Sequence, residues 1–131
     1  MNTTEWQRLV AALRNIDDVE GALAAASGLQ TTASAEDLPR LLELLKDESF
    51  FVREAAAWAL SDMERLDVLP ALLAAYQRGF EEGLDNDGFS AALADLVSAN
   101  PEEARSRLEA IAKDSSHPTQ THARWLLEFC E

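Results

Sequence analysis

Apolar residues recur along this chain at three- and four-residue intervals, the period of helices that bury one face. Leu9, Val10 and Leu13 predict a first helix, with Asn2 or Thr3 placed to cap it. Asp17 opens a second, in which Val19, Leu23 and Ala26 share a face and Gly28 is placed as the stop. The polar run from Gln30 to Ser34 reads as a linker. Ser34 then caps a third helix whose first turn carries Glu36 and Asp37, where the helix dipole favours acids, and whose apolar face is Leu38, Leu41, Leu42 and Leu45. After a short turn from Lys46 to Phe50, Val52, Ala56, Ala59, Leu60 and Met63 form the stripe of a fourth. The fifth begins near Asp67 with Pro70 in its first turn, where a missing N–H costs little. Gly79 to Asn86 reads as a longer loop, and the sixth helix spans about Asp87 to Ser98. Asn100-Pro101-Glu102-Glu103 supplies a cap, a first-position proline and two acids for the seventh; Pro118 starts the eighth.

This order predicts an all-α fold, an alpha-alpha superhelix of about eight helices in four antiparallel pairs, near 3–28, 35–64, 67–98 and 101–130. The segment Leu44 to Leu60 recurs without gaps as Ile111 to Leu127, an offset of 67 residues that keeps a Lys-Asp pair, a Ser, an Ala, a Trp and a Leu in register. Two shorter matches lie between: Leu69 to Leu73 follows Leu38 to Leu42 at 31, and Ser90 to Leu96 follows Glu54 to Leu60 at 36. Helix pairs that repeat in this way bury their apolar faces by stacking, so one continuous domain, 1–131, is expected, with a weakly matching first pair as its cap.

Leu38-Pro39-x-Leu41-Leu42-x-Leu44-Leu45-x-Asp47, a short turn, and Val52-Arg53-x-x-Ala56-Ala57-x-Ala59-Leu60 resemble a HEAT repeat, in the form also found in bacterial phycobilisome-lyase-like proteins. The resemblance is specific over 35–63 and fair over 101–127, where Asp114 keeps the family's Asp but Gln120 replaces its Arg; it is weak over 67–98. It implies a solenoid used for protein contacts, with the second helix of each pair lining a concave face and with Asp47 and Arg53 bonding neighbouring turns. It implies no activity, since nothing here matches a bilin-handling motif.

Charge narrows the partner. The 131 residues carry 24 acids against 11 bases, a net charge of −13, divided evenly between the halves of the chain. Such a surface repels phosphate backbones and anionic membranes. Nowhere do eighteen apolar residues run together, and a single cysteine, Cys130, fits a reducing compartment, so a cytoplasmic protein is expected; a bacterial one is what the resemblance implies. Between Arg78 and Arg105 there is no Lys or Arg, while Glu81, Glu82, Asp85, Asp87, Asp95, Glu102 and Glu103 make an anionic sector that serves either solubility or complementarity to a basic protein.

Candidate chemistry is sparse. His117 and His122, five apart, miss the spacing that puts two metal ligands on one helical face. Asp85-Asn86-Asp87-Gly88 fails as a calcium loop, because aligning its glycine puts Gly83 and Ala94 at the first and last ligand positions. Cys130 falls on a core stripe in register with Met63, which predicts an inert thiol. No nucleophile with a base, no poised acid pair and no glycine-rich phosphate cradle is apparent, so no catalysis, cofactor or metal is expected. Trp58 and Trp125 lie off their helices' apolar stripes, as binding anchors or as packing between units.

The expected role is therefore a scaffold that binds one basic protein partner through the concave face and the acidic sector, with an inhibitor or immunity protein as a narrower version. The candidate partner-binding residues are Trp58, Trp125, Glu54, Asp62, Glu81, Glu82, Asp85 and Asp87. The competing expectation is an accessory or lyase-like protein that holds a small molecule or chromophore in the groove. The oligomeric state is open.

Overall fold

The computed structural model describes residues 1–114 and 118–130, and every regular element among them is helical. They fall into two compact units, Met1–Met63 and Glu64–Glu131. Unit one holds α1 (Thr3–Arg14), α2 (Val19–Thr32), α3 (Leu38–Leu44) and α4 (Phe50–Asp62), with a 3-10 turn, Ala35–Asp37, ahead of α3. Unit two holds α5 (Leu69–Glu81), α6 (Asp87–Ala99), α7 (Pro101–Asp114) and α8 (Thr119–Leu127), with 3-10 turns at Leu66–Val68 and Glu128–Cys130.

In the first unit α4 packs against all three of its companions, α1, α2 and α3. The sequence permits this because Val52, Ala55, Ala56, Ala57, Ala59 and Leu60 are all buried: alanines on several faces let neighbouring backbones approach. Ser49 caps α4 by accepting the Val52 N–H at 3.4 Å. In the second unit α8 likewise packs against α5, α6 and α7, with Ala123 and Leu126 fully buried. The 67-residue echo thus marks the helix at the centre of each unit. Its two copies differ in their partners, since α3 has seven residues and α7 fourteen.

Four sequence expectations change. α5 runs on through Gly79 to Glu81, so the loop expected from Gly79 begins only after Glu81. α2 continues through Gly28 to Thr32; the Thr31 hydroxyl donates to the Ser27 carbonyl at 3.1 Å and that of Thr32 to the Gly28 carbonyl at 2.5 Å, which occupies carbonyls the predicted stop would have left open. Its buried residues are Ala22 and Leu29, whereas Val19 and Leu23 are 64% and 56% exposed. Met63 is half-buried, because α4 ends at Asp62 and Met63 caps it. Cys130 is buried as expected, its thiol within reach of the Leu126 carbonyl at 3.8 Å. Burial pushes that thiol's pKa up; the Arg105 charge opposes the shift and Glu109 adds to it.

The α1–α3 edge of the first unit is tied by charge. Asp47 accepts Arg14 Nε at 3.0 Å and the Ser49 N–H at 3.0 Å, and Arg14 Nη2 reaches the same carboxylate. Burial raises the Asp47 pKa, but the Arg14 hydrogen bond, the Ser49 N–H and the charges of Arg14 and Arg53 outweigh it, so the carboxyl sits below its ordinary value.

Candidate partner-binding surface

Trp125 lies half-buried on α8, its ring stacked on Tyr76 of α5 with centroids 5.9 Å apart and planes 11° apart. Phe129, two residues beyond α8, meets Trp125 edge-on at 5.3 Å. Tyr76 is buried and also touches Phe80 at 5.0 Å, Phe89 at 5.6 Å and His122 at 4.9 Å, while Phe80 stacks on His122 at 5.5 Å and 14°. The result is an aromatic ladder with a closed floor, Tyr76 and Phe89, and an open rim, where Phe80 is 49% and Phe129 40% exposed. Polar edges fix the ring orientations: Tyr76 Oη and Ser90 Oγ are 2.6 Å apart, as are His122 Nε2 and Gln77 Oε1.

The acidic sector begins directly after Phe80. Gly83, at φ 71°, ends α5 in the left-handed region, the Gly83 N–H donates to the Phe80 carbonyl at 3.0 Å, and the Leu84 N–H donates to the Gly79 carbonyl at 2.9 Å. This pair of bonds is a Schellman cap. Asn86 then folds its buried amide back over α5, donating from Nδ2 to the Tyr76 carbonyl at 3.0 Å, and the space it fills exists because residue 79 has no side chain. Asp85 Oδ1 accepts the Asp87 N–H at 2.9 Å, which starts α6. Glu81, Glu82, Asp85 and Asp87 are all exposed on this capped turn, and Glu82 accepts Arg78 Nε at 2.9 Å.

The eight candidate residues divide between the units. Glu54, Trp58 and Asp62 lie on α4, with Glu54 and Trp58 half-buried and Asp62 exposed; Trp125 and the four acids of the α5–α6 turn belong to the second unit. Sequence reasoning missed Tyr76, Phe80, His122 and Phe129. Their spacing could have found them, since Tyr76 and Phe80 are four apart and His122, Trp125 and Phe129 follow at three and four, each set on one helical face. The expected turn-bonding role of Asp47 and Arg53 divides: Asp47 joins its turn to the end of α1 through Arg14, while Arg53 Nη1 donates to the carbonyls of Asp47 and Glu48 at 2.8 and 3.2 Å, inside one turn. His117 lies outside the described residues, and among those described no group of three His, Cys, Asp or Glu is placed to hold a metal. No helix among them is long and apolar enough to cross a membrane.

The first unit carries a separate groove of about 430 Å³ lined by Trp6, Val10, Arg14, Arg40, Glu43 and Leu44. Both of its cations are engaged: Arg14 with Asp47, and Arg40 over the Trp6 ring at 5.5 Å while Nη1 lies 3.6 Å from Asp37.

Consecutive antiparallel helix pairs with short turns define a helical-repeat protein. The HEAT-repeat family matches residues 7–84, more than half of the chain, and the chain belongs to that family, whose members commonly serve as protein-interaction modules. No curated protein and no solved structure matches it.

Proposed function

We propose that this protein is a non-catalytic, cytoplasmic interaction module that binds a basic protein partner. The observation that carries the reading is an aromatic cluster open at Phe80 and Phe129 whose Phe80 leads directly into a capped turn carrying four exposed acids. Large aromatics supply contact area at little entropic cost, and the acids favour lysine and arginine in what docks there. Neutralising a basic partner, as an inhibitor or immunity protein does, suits a chain of this size and a net charge of −13. Nucleic acid and anionic membrane are poor partners on the same sign argument.

The competing reading seats a small molecule or chromophore in the 430 Å³ groove of the first unit, which is within the usual range of roughly 300–1,000 Å³ for such sites. Its arginines, already bound to Asp47 and near Asp37, make this the weaker reading. The test is affinity capture from the native host with wild type, with Phe129→Ala, and with Glu81, Glu82, Asp85 and Asp87 neutralised together. A basic protein retained by wild type and lost by both variants is the expected outcome; an acidic partner, or one indifferent to both changes, would overturn the proposal.

A further inference from the structure

The α1–α2 turn exposes more aliphatic surface than a solvated turn needs. Ile16 is 80% exposed, Val19 64% and Leu23 56%, and the three rim a cleft of about 180 Å³ whose remaining lining is Leu13, Ala22 and Phe51. Contiguous apolar patches on a small protein mark interaction sites more often than isolated exposed residues do. The turn that presents them is fastened: the Asn15 N–H donates to the Ala12 carbonyl at 3.3 Å, the Asp17 N–H to Asn15 Oδ1 at 3.2 Å, and Asp18 Oδ1 accepts the Gly21 N–H at 3.0 Å to cap α2. Ile16 is thereby held outward at the tip. The sequence from 15 to 39 contains no Lys or Arg, and Asp17, Asp18, Glu20 and Glu36 are exposed within it.

We infer that this cleft is a second docking point, receiving an apolar side chain from a cationic amphipathic segment of a protein partner. The inference rests on the reading of a basic partner given above. Charge selects the occupant: Asp17, Asp18 and Glu20 are exposed on the turn that presents the patch, so a second copy of a chain with a net charge of −13 would bring like charge against like. Size agrees, because 180 Å³ falls below the roughly 300–1,000 Å³ of ligand pockets and suits a single side chain. Base-free acidic stretches then accompany an open apolar surface in each unit: Asp17, Asp18 and Glu20 beside Ile16, Val19 and Leu23, and Glu81 to Asp87 beside Phe80 and Leu84.

The experiment titrates full-length protein, labelled at its methyl groups and aromatic rings, with a short amphipathic Leu/Lys peptide and with its Leu/Glu and Ser/Lys counterparts at constant ionic strength. The methyl signals of Ile16, Val19 and Leu23 should shift saturably with Leu/Lys alone. Leu23→Ser should weaken that response, read at Ile16 and Val19, by about tenfold while the urea midpoint stays put, since residue 23 is largely exposed. Equal shifts with Leu/Glu or Ser/Lys would overturn the inference, as would shifts produced by raising protein concentration alone. Silence at these methyls while Trp125 and Phe129 respond overturns it too. The reverse pattern, methyls responding and Trp125 and Phe129 silent, supports this site and counts against the aromatic surface.

Discussion

Arg53 and Gln120, in register across the 67-residue echo, do related jobs in their separate units: each donates a side-chain N–H to backbone carbonyls ahead of its own helix, Arg53 to the α3–α4 turn and Gln120 to the last turn of α7. Arg53 Nη1 reaches Asp47 O at 2.8 Å and Glu48 O at 3.2 Å; Gln120 Nε2 reaches Ala112 O at 2.7 Å. The last turn of a helix leaves carbonyls without intrahelical donors, which is what Gln120 meets at Ala112, while Arg53 meets carbonyls of the turn that leads into its own helix. The departure from the family's Arg at residue 120 therefore keeps the function with a shorter, neutral donor.

The two donors should differ in cost. Arg53 is fully buried, carries charge and faces the Phe50 ring at 5.6 Å, so Arg53→Met should destabilise by about 3 kcal/mol, since it removes a charged donor and leaves the Asp47 and Glu48 carbonyls without it. Gln120→Met removes one neutral hydrogen bond from a half-buried position and should cost about 1 kcal/mol. Urea unfolding of both variants checks the ranking, which an equal cost would contradict.

Much of the fold was legible because caps and periodicity report local energetics. Pro101 with Glu102 and Glu103 opens α7 as its chemistry dictates, and α4 runs along the expected stripe. The face of α2 was misread because it buries little: with only Ala22 and Leu29 buried, the large Val19 and Leu23 dominate the periodic pattern while staying largely exposed. Gly28 looked like a stop, yet it lies inside α2, where a Cβ would make only an ordinary 3.8 Å contact with Leu9 Cδ1, so nothing in the packing there requires glycine. Of the binding surface, Trp125 and the acids could be named individually. The stacking of Trp125 on Tyr76, 49 residues earlier, is a tertiary contact that periodicity within one helix does not report.

Gly79→Ala should be destabilising, against the usual gain of about 1 kcal/mol for such a change in a helix. A Cβ at residue 79 would sit 2.3 Å from Asn86 Oδ1, forcing the buried amide away and breaking its bond to the Tyr76 carbonyl. An unsatisfied buried group costs roughly 1–3 kcal/mol, leaving a net loss of about 1 kcal/mol. The thermal midpoint gives the sign, and faster hydrogen exchange at the Leu84 amide would locate the damage in the α5–α6 cap.

Asp47 predicts the direction of an acid response. Its folded pKa lies below the ordinary 3.8, so its stabilising contribution is present above that value and is lost as pH falls through the folded pKa. Stability measured by urea midpoint should decline more steeply below about pH 4 in wild type than in Asp47→Asn. Arg14→Met should reproduce the flatter acid limb, since Arg14 supplies the hydrogen bond that does most to lower the Asp47 pKa. Parallel curves for wild type and both variants would dismiss the Arg14–Asp47 pair as a source of stability.

Substitutions at the tryptophans and Phe129 separate packing from binding. Phe129, 40% exposed, should lose little folding stability on truncation to Ala while weakening partner binding by about 2 kcal/mol. Trp125→Ala should do both, because it removes a ring stacked on Tyr76 as well as a rim contact. Trp58, half-buried on α4, is assigned by the same pair of measurements: a stability loss of roughly 3 kcal/mol or more makes it a packing residue, and a binding loss without it makes it an anchor.

The acids of the α5–α6 turn should act on encounter rather than on residence. Salt screens exposed charge over about 8 Å at physiological ionic strength, so association with a basic partner should slow as salt rises. Replacing Glu81 and Glu82 by Gln and Asp85 and Asp87 by Asn keeps the shape of the turn, and Asn at residue 85 still offers an acceptor to the residue 87 N–H. The Glu82 change also removes the carboxylate that Arg78 Nε donates to at 2.9 Å, leaving a cation beside the partner's own. The on-rate should therefore fall and its salt dependence flatten, with the off-rate changing less, because rim charges steer more than they hold. Folding stability should hold or rise slightly, since four like charges are relieved at exposed positions. Stopped-flow kinetics across a salt series measures both rates; an on-rate indifferent to salt in wild type would leave these acids with solubility as their only role.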